Sequence, residues 1–122
     1  MSPDFLYLNS RDSLLRLDIN HIVYFEADGN YTNIVSANKV RHTVGMTLSK
    51  MQEILASSLA EKALRFARIG KSHIISINHI NKIDIPRQLL LLSDGQTFAF
   101  RISVSKDALR KLKDLLTKPK QP

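Results

Sequence analysis

The chain has 122 residues, no cysteine, and a formal net charge of +7 with a sequence pI of about 9.9. That length suits one domain with its own core, and the missing cysteines exclude a disulfide framework, thiolate metal sites and cysteine nucleophiles. The positive balance favours polyanionic partners, nucleic acid first among them in a reducing compartment.

The start, Met1-Ser2-Pro3-Asp4, has neither a basic n-region nor an apolar h-region, so no secretory signal is expected. Apolar runs such as Leu89 to Leu92 are too short to cross a bilayer, and a cytoplasmic, membrane-free chain is the expectation.

Phe5 to Asn9 and Leu14 to Ile19 are short apolar runs around the turn-type cluster Asn9-Ser10-Arg11-Asp12, which predicts an opening hairpin. Ile22-Val23-Tyr24-Phe25 suits a strand buried on both faces, ending at the turn Asp28-Gly29-Asn30. Tyr31 to Val35 and Val40 to Val44 alternate apolar with polar residues, predicting two half-exposed strands joined by Ala37-Asn38-Lys39. The period then changes. Leu48, Met51, Leu55 and Leu59 fall at helical spacing, with Thr47 or Ser49 available as cap and Gln52 three residues beyond Ser49.

Arg65 to Ile80 is the stretch on which the functional reading rests. Phe66, Ile69, Ile74, Ile75 and Ile77 are sheet-forming types on either side of Gly70-Lys71-Ser72-His73. Those four supply backbone freedom, charge and hydrogen-bond donors. Two strands joined by a solvent-facing basic loop are expected. A tight turn or single helical turn follows at Asn78 to Asn81, then a strand at Ile83 to Ile85. Leu89 to Leu92, Asp94-Gly95 and Thr97 to Phe100 predict a further hairpin. Leu109, Leu112 and Leu116 mark a final helix from about Ser105 to Leu116, and a disordered basic tail is expected over residues 118–122. The fold class is mainly β, with eight to ten short strands, one mid-chain helix and one C-terminal helix. Residues 1–117 form a single domain in this reading.

Catalytic and metal chemistry find little support. Gly70-Lys71-Ser72 resembles the end of a phosphate-binding P-loop, but Arg65 stands where that motif needs glycine, and a strand follows instead of a helix. His21, His42, His73 and His79 lack helical ligand spacing. No nucleophile elbow accompanies the serines. Glu26 and Asp28 are close in sequence, yet Glu26 better suits anchoring a neighbouring backbone or basic group. No enzyme activity, metal or cofactor is expected. Three polar or basic edges remain: Asn30-Tyr31-Thr32-Asn33, Lys71-Ser72-His73, and Arg101 to Lys106. Arginine and lysine neutralise phosphates, arginine also reads guanine, and Ser105 can present a helix N-terminus to phosphate.

Arg68-Ile69-Gly70-Lys71-Ser72, then Ile74-Ile75-Ser76-Ile77-Asn78 and Ile80, resembles the signature of the LytTR-type (LytR/AlgR) bacterial DNA-binding domain. The family's usual His and Arg are Gly70 and Lys71 here. Ile22 to Ala27, Asn30-Tyr31, Thr47-Leu48 and Asp94-Gly95 match further family fragments in order, so that the likeness covers about residues 4–116.

The resemblance implies an elongated stack of short antiparallel sheets. It also implies sequence-specific duplex DNA binding by loops at one edge, as the output domain of a response regulator in a two-component system. By position it implies DNA-binding roles for Asn30, Thr32, Lys71, Ser72 and Arg101; residue type adds His73 and Ser105 as donors and Lys106 and Arg41 as charge. The order Arg101-Ile102-Ser103 departs from the family's Ser-Arg at this junction. The resemblance further implies two copies on repeated sites, DNA bending, and a receiver domain or sensor partner outside this chain. The alternative is a stand-alone regulatory or protein-interaction module of the same fold. RNA binding is disfavoured because Phe66, Phe98 and Phe100 look like core residues and not stacking platforms.

Overall fold

A computed structural model describes residues 4–59 and 65–118. Its ten described strands form three antiparallel sheets. Strands β1 (Phe5–Asn9) and β2 (Leu14–Asp18) make the opening hairpin. Strands β3 (Ile22–Asp28), β4 (Tyr31–Ser36), β5 (Arg41–Val44), β6 (Phe66–Ile69) and β7 (His73–Ser76) form a five-stranded sheet in the order β5-β4-β3-β7-β6. Strands β8 (Ile80–Asp84), β9 (Leu89–Ser93) and β10 (Ala99–Ser103) form a third sheet with β9 in the middle. Helix α1 (Leu48–Leu59) lies mid-chain and α2 (Lys106–Thr117) closes the fold. The mainly β stack with two helices is the architecture expected from the sequence.

The five-stranded sheet has a core on each face. One core joins Phe25, Ile34 and Ile74 to Leu48, Met51 and Leu55 of α1 and to Leu6 and Leu17 of the opening hairpin. The other joins Val23, Tyr24, Val35 and Ile75 to Leu90, Leu92 and Ile102 of the third sheet and Leu109 and Leu112 of α2. At about 1.5–3 kcal/mol per fully buried large apolar side chain, these two layers supply the main driving force for folding. Strict alternation would send Val23 and Tyr24 to opposite faces. A register shift between Ile22 and Tyr24 turns both into the second core.

Several sequence-based expectations are refined. Strand β4 is not half-exposed: Thr32 to Ser36 are buried, because β4 lies between β3 and β5 under two cores. Thr47, not Ser49, caps α1, its hydroxyl accepting from Lys50 N at 3.1 Å. The side chain of Leu59 lies outside the described residues. Strand β8 begins at Ile80, preceded by one 3₁₀ turn at Ile77–His79. Strand β10 begins at Ala99, since the Asp94 carboxylate accepts from the backbone N–H groups of Gln96, Thr97 and Phe98 and holds that segment in a turn. Lys118, expected in the tail, closes α2 by donating its N–H to Asp114 O at 2.9 Å. The rest of the expected tail, residues 119–122, lies outside the described residues. No described helix is long and apolar enough to cross a membrane.

Candidate nucleic-acid interface

Antiparallel pairing sets the interface. Because β3 pairs with both β4 and β7, the β3–β4 turn and the β6–β7 loop emerge side by side at one end of the sheet. Glu26 stands opposite His73, and Ala27 N donates to Ser72 O at 2.8 Å. Gly29 and Gly70 both have positive φ, 61° and 59°, the left-handed region in which a residue with Cβ is strained. A shallow groove of about 210 Å³ separates the β6–β7 loop from the β10–α2 junction. Gly70, Lys71 and Ser72 line one side, and Ser103, Val104 and Ser105 the other.

Of the positions expected to meet DNA, Asn30, Lys71, Ser72, Arg101, Ser105 and Lys106 are exposed. Lys71, Ser72, His73 and Ser105 share the groove, with Lys106 next in the chain. Ser105 caps α2, its Oγ accepting from Ala108 N at 3.2 Å. Arg101 does not line the groove. It projects from the outer face of the third sheet, in register with Leu91, which is also opposite Lys82.

Two expected contacts are corrected. Thr32 is fully buried, and its hydroxyl donates to Met46 O at 2.9 Å. It therefore holds the link after β5 and presents nothing to a ligand. Its exposed neighbour is Tyr31, whose ring lies over Gly45. His73 lines the groove but is largely covered, its side chain 13% exposed and its Nε2 3.6 Å from Glu26 Oε2. Burial lowers its pKa, and the nearby Glu26 charge and hydrogen bond only partly oppose that. A mostly covered ring facing Glu26 stands where a free phosphate donor was expected.

Beneath the turn lies a polar network. Arg41 Nη1 donates to Glu26 Oε1 at 2.9 Å, Thr43 donates to Asn33 Oδ1 at 2.7 Å, and Asn33 Nδ2 donates to Asp28 at 3.4 Å. Burial works to raise the Glu26 pKa. The Arg41 hydrogen bond and charge, with help from Asn33 and His73, outweigh it, so that Glu26 stays ionised below its ordinary range. Glu26 is thus an anchor for basic groups, as the sequence suggested, and Arg41 is committed to it. No group of three potential metal-ligating side chains occurs among the described residues. Phe98 is buried, and Phe66 and Phe100 pack against Phe25 and Tyr24 at ring-centroid distances of 5.6 Å, which leaves no row of aromatic platforms.

Arg68 was not singled out by residue type. It shares the inward face of β6 with Phe66, and its guanidinium reaches both α1 and the β6–β7 loop. Nη1 donates to Gln52 Oε1 at 3.0 Å and Nη2 to Lys71 O at 3.0 Å. The available signal was alternation: a charge two residues after a core phenylalanine faces inward and needs partners.

The family model described as LytTr DNA-binding domain matches residues 12–117. Two curated relatives from Paraburkholderia xenovorans (strain LB400) are named heme-containing CO-sensing transcriptional regulators, RcoM 1 and RcoM 2. The chain is 29% identical to RcoM 1 over 109 residues, covering 87% of this chain and 37% of that protein. It is 30% identical to RcoM 2 over 114 residues, covering 91% of this chain and 38% of that protein. The chain therefore spans well under half the length of these relatives. Among solved structures, a LytTr DNA-binding domain from Bacillus cereus superimposes with a TM-score of 0.64 at 22% identity, covering 95% of this chain and 99% of that one.

Proposed function

The chain belongs to the LytTR DNA-binding domain family, whose members bind DNA as output domains of transcription regulators, and from that premise we propose that it reads a specific duplex sequence through the edge just described. The observation that carries this reading is the groove between Lys71-Ser72 and Ser103-Ser105. It sets two exposed donor-bearing segments, about thirty residues apart in sequence, on one edge beside the β3–β4 turn.

Lys71 and Lys106 neutralise phosphates, which makes affinity fall with salt. Ser72, Ser105 and the N-terminus of α2 fix register on the backbone. Asn30 and Arg101 are the proposed base readers, Arg101 from the outer face of the third sheet. Thr32 and His73 support the edge from below. Domains of this family bind DNA repeats, and two copies of this chain on a repeated site are part of the proposal, as is regulation by a receiver or sensor unit outside it. Residues 1–117 are proposed as the DNA-binding unit.

Selection of bound fragments from random duplex DNA tests this directly. The expected result is one enriched motif, repeated at a fixed spacing. Binding without enrichment would leave only a basic surface. Stoichiometric capture of a protein with no DNA affinity would favour the interaction-module alternative.

A further inference from the structure

We infer that Arg68 is a positioning residue that presets the DNA-facing loop from behind, an inference that rests on the function proposed above. The loop between β6 and β7 is three residues long, Gly70-Lys71-Ser72, and two of its carbonyl groups are accounted for. Ser72 O accepts from Ala27 N at 2.8 Å, and Lys71 O accepts from Arg68 Nη2 at 3.0 Å. A carbonyl oxygen facing a phosphate repels it. Binding these two oxygens inward removes acceptors from an edge whose task is to offer donors.

The other arm of the guanidinium fixes the geometry. Nη1 donates to Gln52 Oε1 at 3.0 Å and lies 3.4 Å from Ser49 Oγ, both on the first turns of α1. That helix is seated by Leu48, Met51 and Leu55 in the first core. Arg68 thus bridges a rigid helix to a short loop, and the planar fork can hold both partners at once where a lysine ammonium cannot. The bridge has a local cost. Arg68 Nε is buried with no hydrogen-bond partner among the described residues, and no described carboxylate pairs with the side chain. An inward position beside Phe66 would serve stability alone better with an apolar residue.

Three variants test the bridge: Arg68→Lys, Arg68→Gln and Gln52→Ala. Gln52 is exposed on α1, so its truncation leaves the core intact. In the free protein, exchange of the Ala27 amide, which donates to Ser72 O, should speed up in all three while the α1 amides keep their protection. On the site recovered by selection, Arg68→Lys and Arg68→Gln should both bind about tenfold more weakly, the ~1.4 kcal/mol of one charge-assisted hydrogen bond, with the wild-type salt slope. Gln52→Ala should move in the same direction by less. Rescue by lysine together with a salt slope reduced by about one in Arg68→Gln would make Arg68 a direct phosphate contact and overturn the inference. Unchanged exchange in Gln52→Ala would overturn the bridge to α1. Because exchange is read without DNA, a wild-type protein that selects no sequence would sink the proposed function while leaving the bridge separately testable.

Discussion

Thr32→Val separates a buried support from a base reader. The residue has no exposed surface, and valine matches its shape while removing the hydroxyl that donates to Met46 O at 2.9 Å. One intramolecular hydrogen bond is lost, a net ~0.5–1.5 kcal/mol, rising to about 1–3 kcal/mol if Met46 O is left without another partner. Met46 is only partly buried, so water can reach its surroundings and the lower half of that span is expected, about 1 kcal/mol. For a domain of this size that is a drop of roughly 4 °C in Tm. Urea unfolding measures the cost, and competition between the selected site and its single-base variants measures specificity. The expected pair of results is lower stability with an unchanged specificity profile. Full stability with discrimination lost at one base pair would show that Thr32 reaches the DNA, and the burial argument would be wrong.

Lys71→Ala should weaken binding on cognate and random duplex alike and flatten the salt slope by about one, measured by titration across a salt series; an unaltered slope removes Lys71 from the phosphate set. Arg101→Ala should cost about 1–3 kcal/mol on the selected site and relax one base pair, and an equal loss on all sequences would reduce it to a backbone contact. Burial lowers the pKa of both His73 and His79 below 6.5, so the unfolded chain binds protons first. Stability is then full above about pH 6.5 and declines as pH falls towards the folded values, and His73→Gln should make the urea midpoint fall less between pH 7 and 5. Asp94 is held far below the ordinary carboxylate range by the Thr97 hydroxyl and by backbone N–H groups, which outweigh a small burial effect. Its contribution is full above pH 3.8 and shrinks gradually below that, so Asp94→Ala should lower Tm at pH 7 by its full amount and by progressively less as pH falls below 3.8.

The parts of this fold that were legible in the sequence are those where one local signal decides. Asp28-Gly29 and Asp94-Gly95 fix turns because glycine takes a positive φ in both, and in the second the aspartate also accepts from the following N–H groups. Helical spacing from Leu48 to Leu55 placed α1 because only one face of it meets the sheet. What sequence could not give was which polar residues the tertiary fold would bury. Thr32 and Asn33 are polar residues set among apolar ones, as in a half-exposed strand, and only the neighbours β3 and β5 decide that they lie inside. His73 sits in a basic loop by sequence and against Glu26 by register. Arg68 differs from Lys71 by three positions and equals it in charge, yet strand alternation points one at α1 and the turn leaves the other exposed. Counting cations therefore points to an edge but not to the division of labour along it. That division follows from pleat and register: the residues that reach outward can meet a ligand, and those that reach inward determine where the first set stands.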